Sequence, residues 1–200
     1  MKKIAFMLLM LSVSCSASAT VINALTNVDN GFNAYISTSD ATLGTLIGSG
    51  ANWSVTNSYS AVLTSGVTQY LHIVASNAGG PGGFLGAFTL SDAGFVFANG
   101  TSSLLTGDSA WGQNLSGFGN AYAAAVNEGV NGVGPWGFQA AYGALNPSWI
   151  WNYYSKASSD FNTVYFSTTI NKVPEPATYS LLLLGLGLIG FTSWRNRKSA

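Results

Sequence analysis

The clearest signal in the chain is alternation. In Phe32-Asn33-Ala34-Tyr35-Ile36-Ser37, Phe32, Ala34 and Ile36 fall on one side of an extended segment. That period of two is what a half-buried strand imposes on a sequence. Asp29-Asn30-Gly31 before it reads as a turn. Thr42 to Ile47 predicts a second strand, closed by Gly48-Ser49-Gly50, and Tyr59 to Leu63 a short third, closed by Ser65-Gly66. Val67 to Ser76 is the strongest run. It sets Val67, Gln69, Leu71, Ile73 and Ala75 on one side and Tyr70, His72 and Val74 on the other. Apolar groups on both sides predict a central strand covered on both faces. Phe84 to Leu90, Gly94 to Asn99, Ser148 to Trp151 and Thr163 to Ile170 predict four more strands.

Turn signals recurring about every ten residues are the rhythm of a sandwich or barrel. The expected fold is mainly β, a jelly-roll-like β-sandwich with a long loop insertion. The last strand is expected to pair near the first. Between Leu104 and Pro147 the pattern weakens. Alanine-rich Asn120 to Glu128 predicts one short helix, and Gly129 to Gly137 reads as long loop. A loop of that length in a compact domain is usually functional or disordered.

The two ends follow other rules. Lys2 and Lys3 precede the apolar run Ile4 to Leu11, then small residues ending Ala17-Ser18-Ala19. That order defines a secretory signal peptide over residues 1–19. Cys15 invites a lipoprotein reading, but Ser12 stands where a lipobox wants leucine. At the other end Val173-Pro174-Glu175-Pro176 leads into the apolar run Ala177 to Trp194, then Arg195, Arg197 and Lys198. The run would make ~27 Å of helix, close to the ~30 Å hydrocarbon core of a bilayer. Trp194 stands at its edge, where an interfacial aromatic belongs, with the cations directly after.

Composition sharpens this division. The stretch from residue 20 to 172 holds Asp29, Asp40, Asp92, Asp108, Glu128 and Asp160 against Lys156 and Lys172, a net charge of about −4. It carries no basic stripe, which argues against nucleic acid as a partner. Its polarity comes from Ser, Thr, Asn and Gly, a surface suited to neutral glycans. The only cysteine lies in the leader, so cleavage there would leave no disulfide. Cations at both ends put the termini on the cytoplasmic side and the domain outside before processing.

The tail, residues 173–200, closely resembles the PEP-CTERM sorting signal of exopolysaccharide-producing Gram-negative bacteria. The resemblance implies exosortase as a partner, transient anchoring in the inner membrane, and release or attachment at the cell surface or in the extracellular matrix. The structural alternative is an ordinary tail anchor. A second resemblance spans nearly all of residues 20–173. Asp29 and its alternating strand, Gly-Ser-Gly then Trp53, a strand ending in Asn77, Gly79-Gly80-Pro81-Gly82-Gly83, Asp108-Ser109-Ala110-Trp111, Ser148-Trp149-Ile150-Trp151 and Val164-Tyr165-Phe166 follow in that order. The series is similar to galactose-binding-domain-like β-sandwiches. That class implies sugar or calcium binding through loops at one end.

Candidate chemistry is sparse. His72 is the only histidine, and within a strong strand it reads as packed. No cysteine of the domain and no second histidine can join it in a zinc site. A Ser-His-Asp triad would need a serine and an acid brought beside it. Asp29 and Asp108 are the candidate calcium ligands, although calcium wants six to eight oxygens. The bland reading is that Asp29, Asp40 and Asp92 cap turns. For glycan, the candidates are Trp136, Trp53, Trp111 and Asn77, because aromatic faces stack on the apolar faces of sugar rings. Trp136, in a Gly-Val-Gly-Pro-Trp-Gly segment, is expected to be the exposed one. Trp149 and Trp151 are expected to share one face of a strand and read as core. The whole predicts a non-enzymatic, exported, exosortase-processed surface or matrix protein that contacts extracellular polysaccharide. The alternatives are a purely structural matrix component and an extracellular hydrolase.

Overall fold

The computed structural model describes residues 19–153, 162–174 and 181–190. Residues 19–174 form one unit, and residues 1–18 with 175–200 form another. The first unit is a sandwich of two antiparallel sheets. Its strands are β1 (Val21–Asp29), β2 (Gly31–Ser37), β3 (Thr45–Gly50), β4 (Asn57–Val62), β5 (Gln69–Ser76), β6 (Gly83–Leu90) and β7 (Phe95–Phe97). They continue with β8 (Ser103–Leu105), β9 (Gly112–Asn114), β10 (Ala123–Ala124), β11 (Val126–Val130), β12 (Ser148–Trp151) and β13 (Thr163–Lys172). The first sheet runs β11-β12-β6-β1-β4, with β8 also on β6. The second runs β10-β9-β13-β5-β2-β3, with β7 also on β13.

Alternation explains what fills the space between them. Phe32, Ala34 and Ile36 from β2, Leu71, Ile73 and Ala75 from β5, and Val164, Phe166 and Ile170 from β13 are buried in the main core. They meet Ile22, Ala24, Val28, Phe84 and Phe88 of the first sheet. Phe84 sits at the centre, its ring 5.2 Å from Trp111 edge-on and 5.1 Å from Phe166. Each buried Val, Leu, Ile or Phe among them contributes roughly 1.5–3 kcal/mol by leaving water. β5 is a central strand as its pattern predicts, flanked by β2 and β13.

β6 is buried along nearly its whole length because it is covered twice. Phe84, Phe88 and Leu90 enter the main core. Leu85 and Ala87 enter a second cluster with Trp136, Tyr142 and Trp149. The segment after β11 folds over that outer face and ends in a short 3-10 turn at Ala140–Tyr142. The loop insertion is thus a cover for the first sheet.

Several expectations need correction. Val21–Asp29, for which the pattern predicted no element, is the strand between β4 and β6. Asn120 to Glu128 forms no helix. Ala123–Ala124 pairs with β9 and Val126–Val130 with β12, because neighbouring strand edges offered ladders that outweighed alanine's helical preference. Gly48-Ser49-Gly50 continues β3 and does not close it. The closing strand pairs with β5, which stands between it and β2. Trp149 and Trp151 pack in different clusters, Trp149 in the second and Trp151 in the main core.

Of the second unit, residues 181–190 are helical. Among the described residues no helix is long and apolar enough to cross a membrane. The leader expected over residues 1–19 lies outside the described residues except for Ala19. So do Glu175, Pro176, the ends of the 177–194 span, and Arg195, Arg197 and Lys198.

Candidate functional site

Of the tryptophans expected to meet glycan, Trp136 and Trp111 are buried. Trp136 is 3% exposed and stacks on Trp149, ring centroids 4.5 Å apart and 23° from parallel. Its Nε1–H donates to Asp29 Oδ2 at 2.8 Å. A network holds the surrounding loop down. Tyr142 shares its one hydroxyl proton between Asn27 Oδ1 and the Leu85 carbonyl, and Asn27 Nδ2 donates to the Trp53 carbonyl. Gln139 Nε2 donates to the Trp136 carbonyl, and Asn131 braces the Gln139 backbone through both its amide atoms. Trp136 is therefore the anchor of the cover, and its burial removes it as a sugar platform. Trp111 is buried and donates its Nε1–H to the Leu105 carbonyl. Trp53 is half-buried against the second cluster. Asn77 is buried and braces the glycine-rich loop, bonding Gly79 N and Gly80 O.

The carboxylates are likewise occupied. Asp29 is buried, and desolvation pushes its pKa up against the Trp136 hydrogen bond, which pulls it down. It is no turn cap. Asp108 accepts from Asn99 Nδ2 at 2.9 Å and from the Ala110 amide at 2.9 Å. It borders an open depression of about 390 Å³ with Asn99, Ser103, Thr106, Asn146 and Ser148. Among the described residues no group of three or more His, Cys, Asp or Glu gathers that could hold a metal ion. Asp92 does cap its turn, accepting from Gly94 N and Thr20 Oγ1, and these bonds lower its pKa.

The structure assembles something else on the outer face of the second sheet. Core residues of β2, β5 and β13 alternate with Asn33 and Tyr35, with Tyr70, His72 and Val74, and with Tyr165, Ser167 and Thr169. The period of two puts these last sets outside. Cross-strand pairing lines up Tyr35, His72 and Ser167 in one row. Two loops close over its middle. From the first, Asp40 Oδ1 accepts from Ser167 Oγ at 2.9 Å, Tyr122 OH at 3.0 Å and His72 Nε2 at 3.2 Å. From the second, Phe118 stacks flat on the His72 ring, centroids 3.8 Å apart, and meets Tyr165 edge-on at 5.3 Å. The loops meet at Gly119, where φ is +78° and a β-carbon would lie 2.8 Å from Ala41, so there is no room for a side chain. His72 is fully buried, and desolvation lowers its pKa in spite of Asp40. Asp40 is thus the hub of a cross-loop clasp and not the turn cap its sequence suggested.

The order of hydrogen bonds in that clasp differs from that of a nucleophilic triad. A nucleophilic triad places histidine between serine and acid, so that the ring can take the serine proton. Here the acid is in the middle, and Ser167 donates to Asp40. Beside the clasp Tyr35, Tyr70 and Tyr165 remain half-exposed. Sequence reasoning singled out none of Asp40, Ser167, Tyr122 or these tyrosines as partners. The legible signal was Tyr35 and Tyr165 at the outward positions of two alternating strands.

The molecule so described is a β-sandwich joined to an apolar tail with a basic end. Residues 172–198 match the PEP-CTERM protein-sorting motif. That motif marks a protein for export, transient membrane anchoring and exosortase processing. No similarity to a curated protein or to a solved structure was found.

Proposed function

We propose that this is a non-catalytic matrix protein, retained in extracellular polysaccharide after exosortase has removed its tail, with the outer face of the second sheet as the glycan-contacting surface. The observation that carries this reading is the group of half-exposed aromatic rings, Tyr35, Tyr70 and Tyr165 with Phe118, on one face of three adjacent strands. Phenol rings offer a flat apolar surface with a polar tip, which suits sugar rings. The carboxylate on that face, Asp40, is engaged by three donors, so the surface favours neutral ligands. The likeness to galactose-binding-domain-like sandwiches supports the same ligand class, with the contact moved from loop tryptophans to sheet tyrosines. The position of Asp40 between Ser167 and His72 supports a binding role over hydrolysis. Calcium at Asp29 or Asp108 would have to share a carboxylate that already accepts hydrogen bonds.

The test is retention of the exported protein on neutral polysaccharides, with Tyr35→Ala/Tyr165→Ala as the variant and Ser116→Ala as the control. Loss of retention in the double variant alone supports the reading. Failure of the unaltered protein to bind any polysaccharide favours a purely structural matrix role. Mass spectrometry of extracellular material should find peptides ending near Val173. Recovery of residues 181–190 there would contradict processing.

A further inference from the structure

We propose that β4 is a self-pairing edge through which a second copy of this chain extends the first sheet. β4 ends that sheet, hydrogen-bonded to β1 on one side and to no strand among the described residues on the other; β3 of the second sheet comes near it where Gly48 faces the Tyr59 ring. Leu63 N donates to Thr20 O, so the pair just beyond the β1–β4 register is hydrogen-bonded. Antiparallel ladders alternate bonded and non-bonded pairs. Tyr59 and Ala61 therefore point their backbone groups at β1. Ser58, Ser60 and Val62 point theirs at the free edge.

That free set is symmetric about Ser60. A twofold axis normal to the sheet sets Ser60 against Ser60 of the second copy and Ser58 against its Val62. All three outward residues then fall on bonded pairs, giving about six new backbone hydrogen bonds. Residues of equal parity meet, so the core-facing and solvent-facing sides of the two sheets stay continuous.

The edge also lacks the devices that block such pairing. Charged side chains, proline, bulges and short length are the usual protections. β3 and β11 each lie in ladders with a register shift, and β7, β8, β9 and β10 are two or three residues long. β4 is six residues, pairs with β1 in unbroken register, and contains no charge or proline. No Asp, Glu, Lys or Arg occurs anywhere from residue 41 to 91. Two copies therefore meet without like-charge repulsion. A chain concentrated at a surface or in a matrix would meet its twin often, so a modest pairwise affinity suffices.

The experiment uses the full-length chain in detergent with Cys15→Ser, so that an introduced thiol is the only one. Opposed residues of a bonded antiparallel pair lie ~5.5 Å apart at Cα, within disulfide range. Ser60→Cys should cross-link under mild oxidation at least about tenfold faster than Ser49→Cys on β3 or Ser116→Cys. Ser60→Pro removes only an outward N–H, which an edge strand tolerates. It should leave the melting temperature nearly unchanged and weaken dimerisation in sedimentation at least about tenfold. If the proline variant does not fold, Ser60→Lys replaces it. A monomer at every concentration, or cross-linking at 49 or 116 as fast as at 60, overturns the proposal. Glycan retention by a strictly monomeric protein would overturn this edge and leave the tyrosine face standing.

Discussion

Trp136 and Asp29, 107 positions apart in sequence, are joined by a 2.8 Å hydrogen bond from indole to carboxylate. The bond fastens the cover segment to the end of β1, while the Trp136 ring stacks on Trp149. Trp136→Ala would remove the ring that stacks on Trp149 and leave a cavity in the second cluster. A loss of about 3–5 kcal/mol is expected, measured by urea unfolding. A loss below about 1 kcal/mol would mean that the cover is held by the Asn27–Tyr142–Gln139 network without it.

The same pair predicts a pH effect. Burial raises the pKa of Asp29 above 3.8 in the folded protein. Below 3.8 both states hold the proton and nothing changes. Between 3.8 and the raised value only the folded state holds it, so stability falls as pH rises through that window and then levels off. Asp29→Asn keeps an acceptor for the indole and removes the ionisation. The difference in stability between variant and unaltered protein should therefore shift in the variant's favour from pH 3 to pH 7. A shift in the opposite direction would show that the charged hydrogen bond outweighs desolvation.

Gly83 makes the stacked tryptophans fit. A β-carbon there would lie 2.6 Å from the Trp136 ring and 2.9 Å from that of Trp149. Both rings are buried, so neither can swing away cheaply. Gly83→Ala should cost about 1–3 kcal/mol through overpacking. Gly66→Ala is the comparison: its surroundings are open, and only its φ of +77° is strained. Thermal melts that rank Gly66→Ala as the worse of the two would contradict the packing argument.

What the sequence made legible was periodicity. β2, β5, β6, β12 and β13 announce themselves because their inward positions are apolar and their flanks carry turn residues. β1 did not, because Thr26, Asn27 and Asp29 interrupt the apolar run. Those polar groups are buried against Tyr59, Tyr142 and Trp136, partners that only the fold supplies. Trp136 misled for the complementary reason. Its glycine and proline neighbours describe a loop accurately but say nothing of what the loop lies on. The Asp40 clasp joins residues from four separate stretches, 40, 72, 122 and 167. No local spacing encodes such a meeting.

The clasp gives the last prediction, a loss of stability in acid. His72 is buried among Asp40, the Leu43 carbonyl 3.4 Å from Nδ1, the Phe118 ring and, beyond Asp40, Tyr122 and Ser167. Desolvation prevails over the attraction of Asp40 and sets its folded pKa below 6.5. Above 6.5 the ring is neutral in both states, and its contribution to stability is complete. As pH falls through 6.5 the unfolded chain takes up a proton that the folded chain refuses, so stability declines towards the folded pKa. His72→Gln should flatten that decline between pH 7 and pH 5 in chemical denaturation. Were the unaltered protein instead to gain stability relative to His72→Gln on acidification, the carboxylate would be holding an imidazolium, and the clasp would be an ion pair.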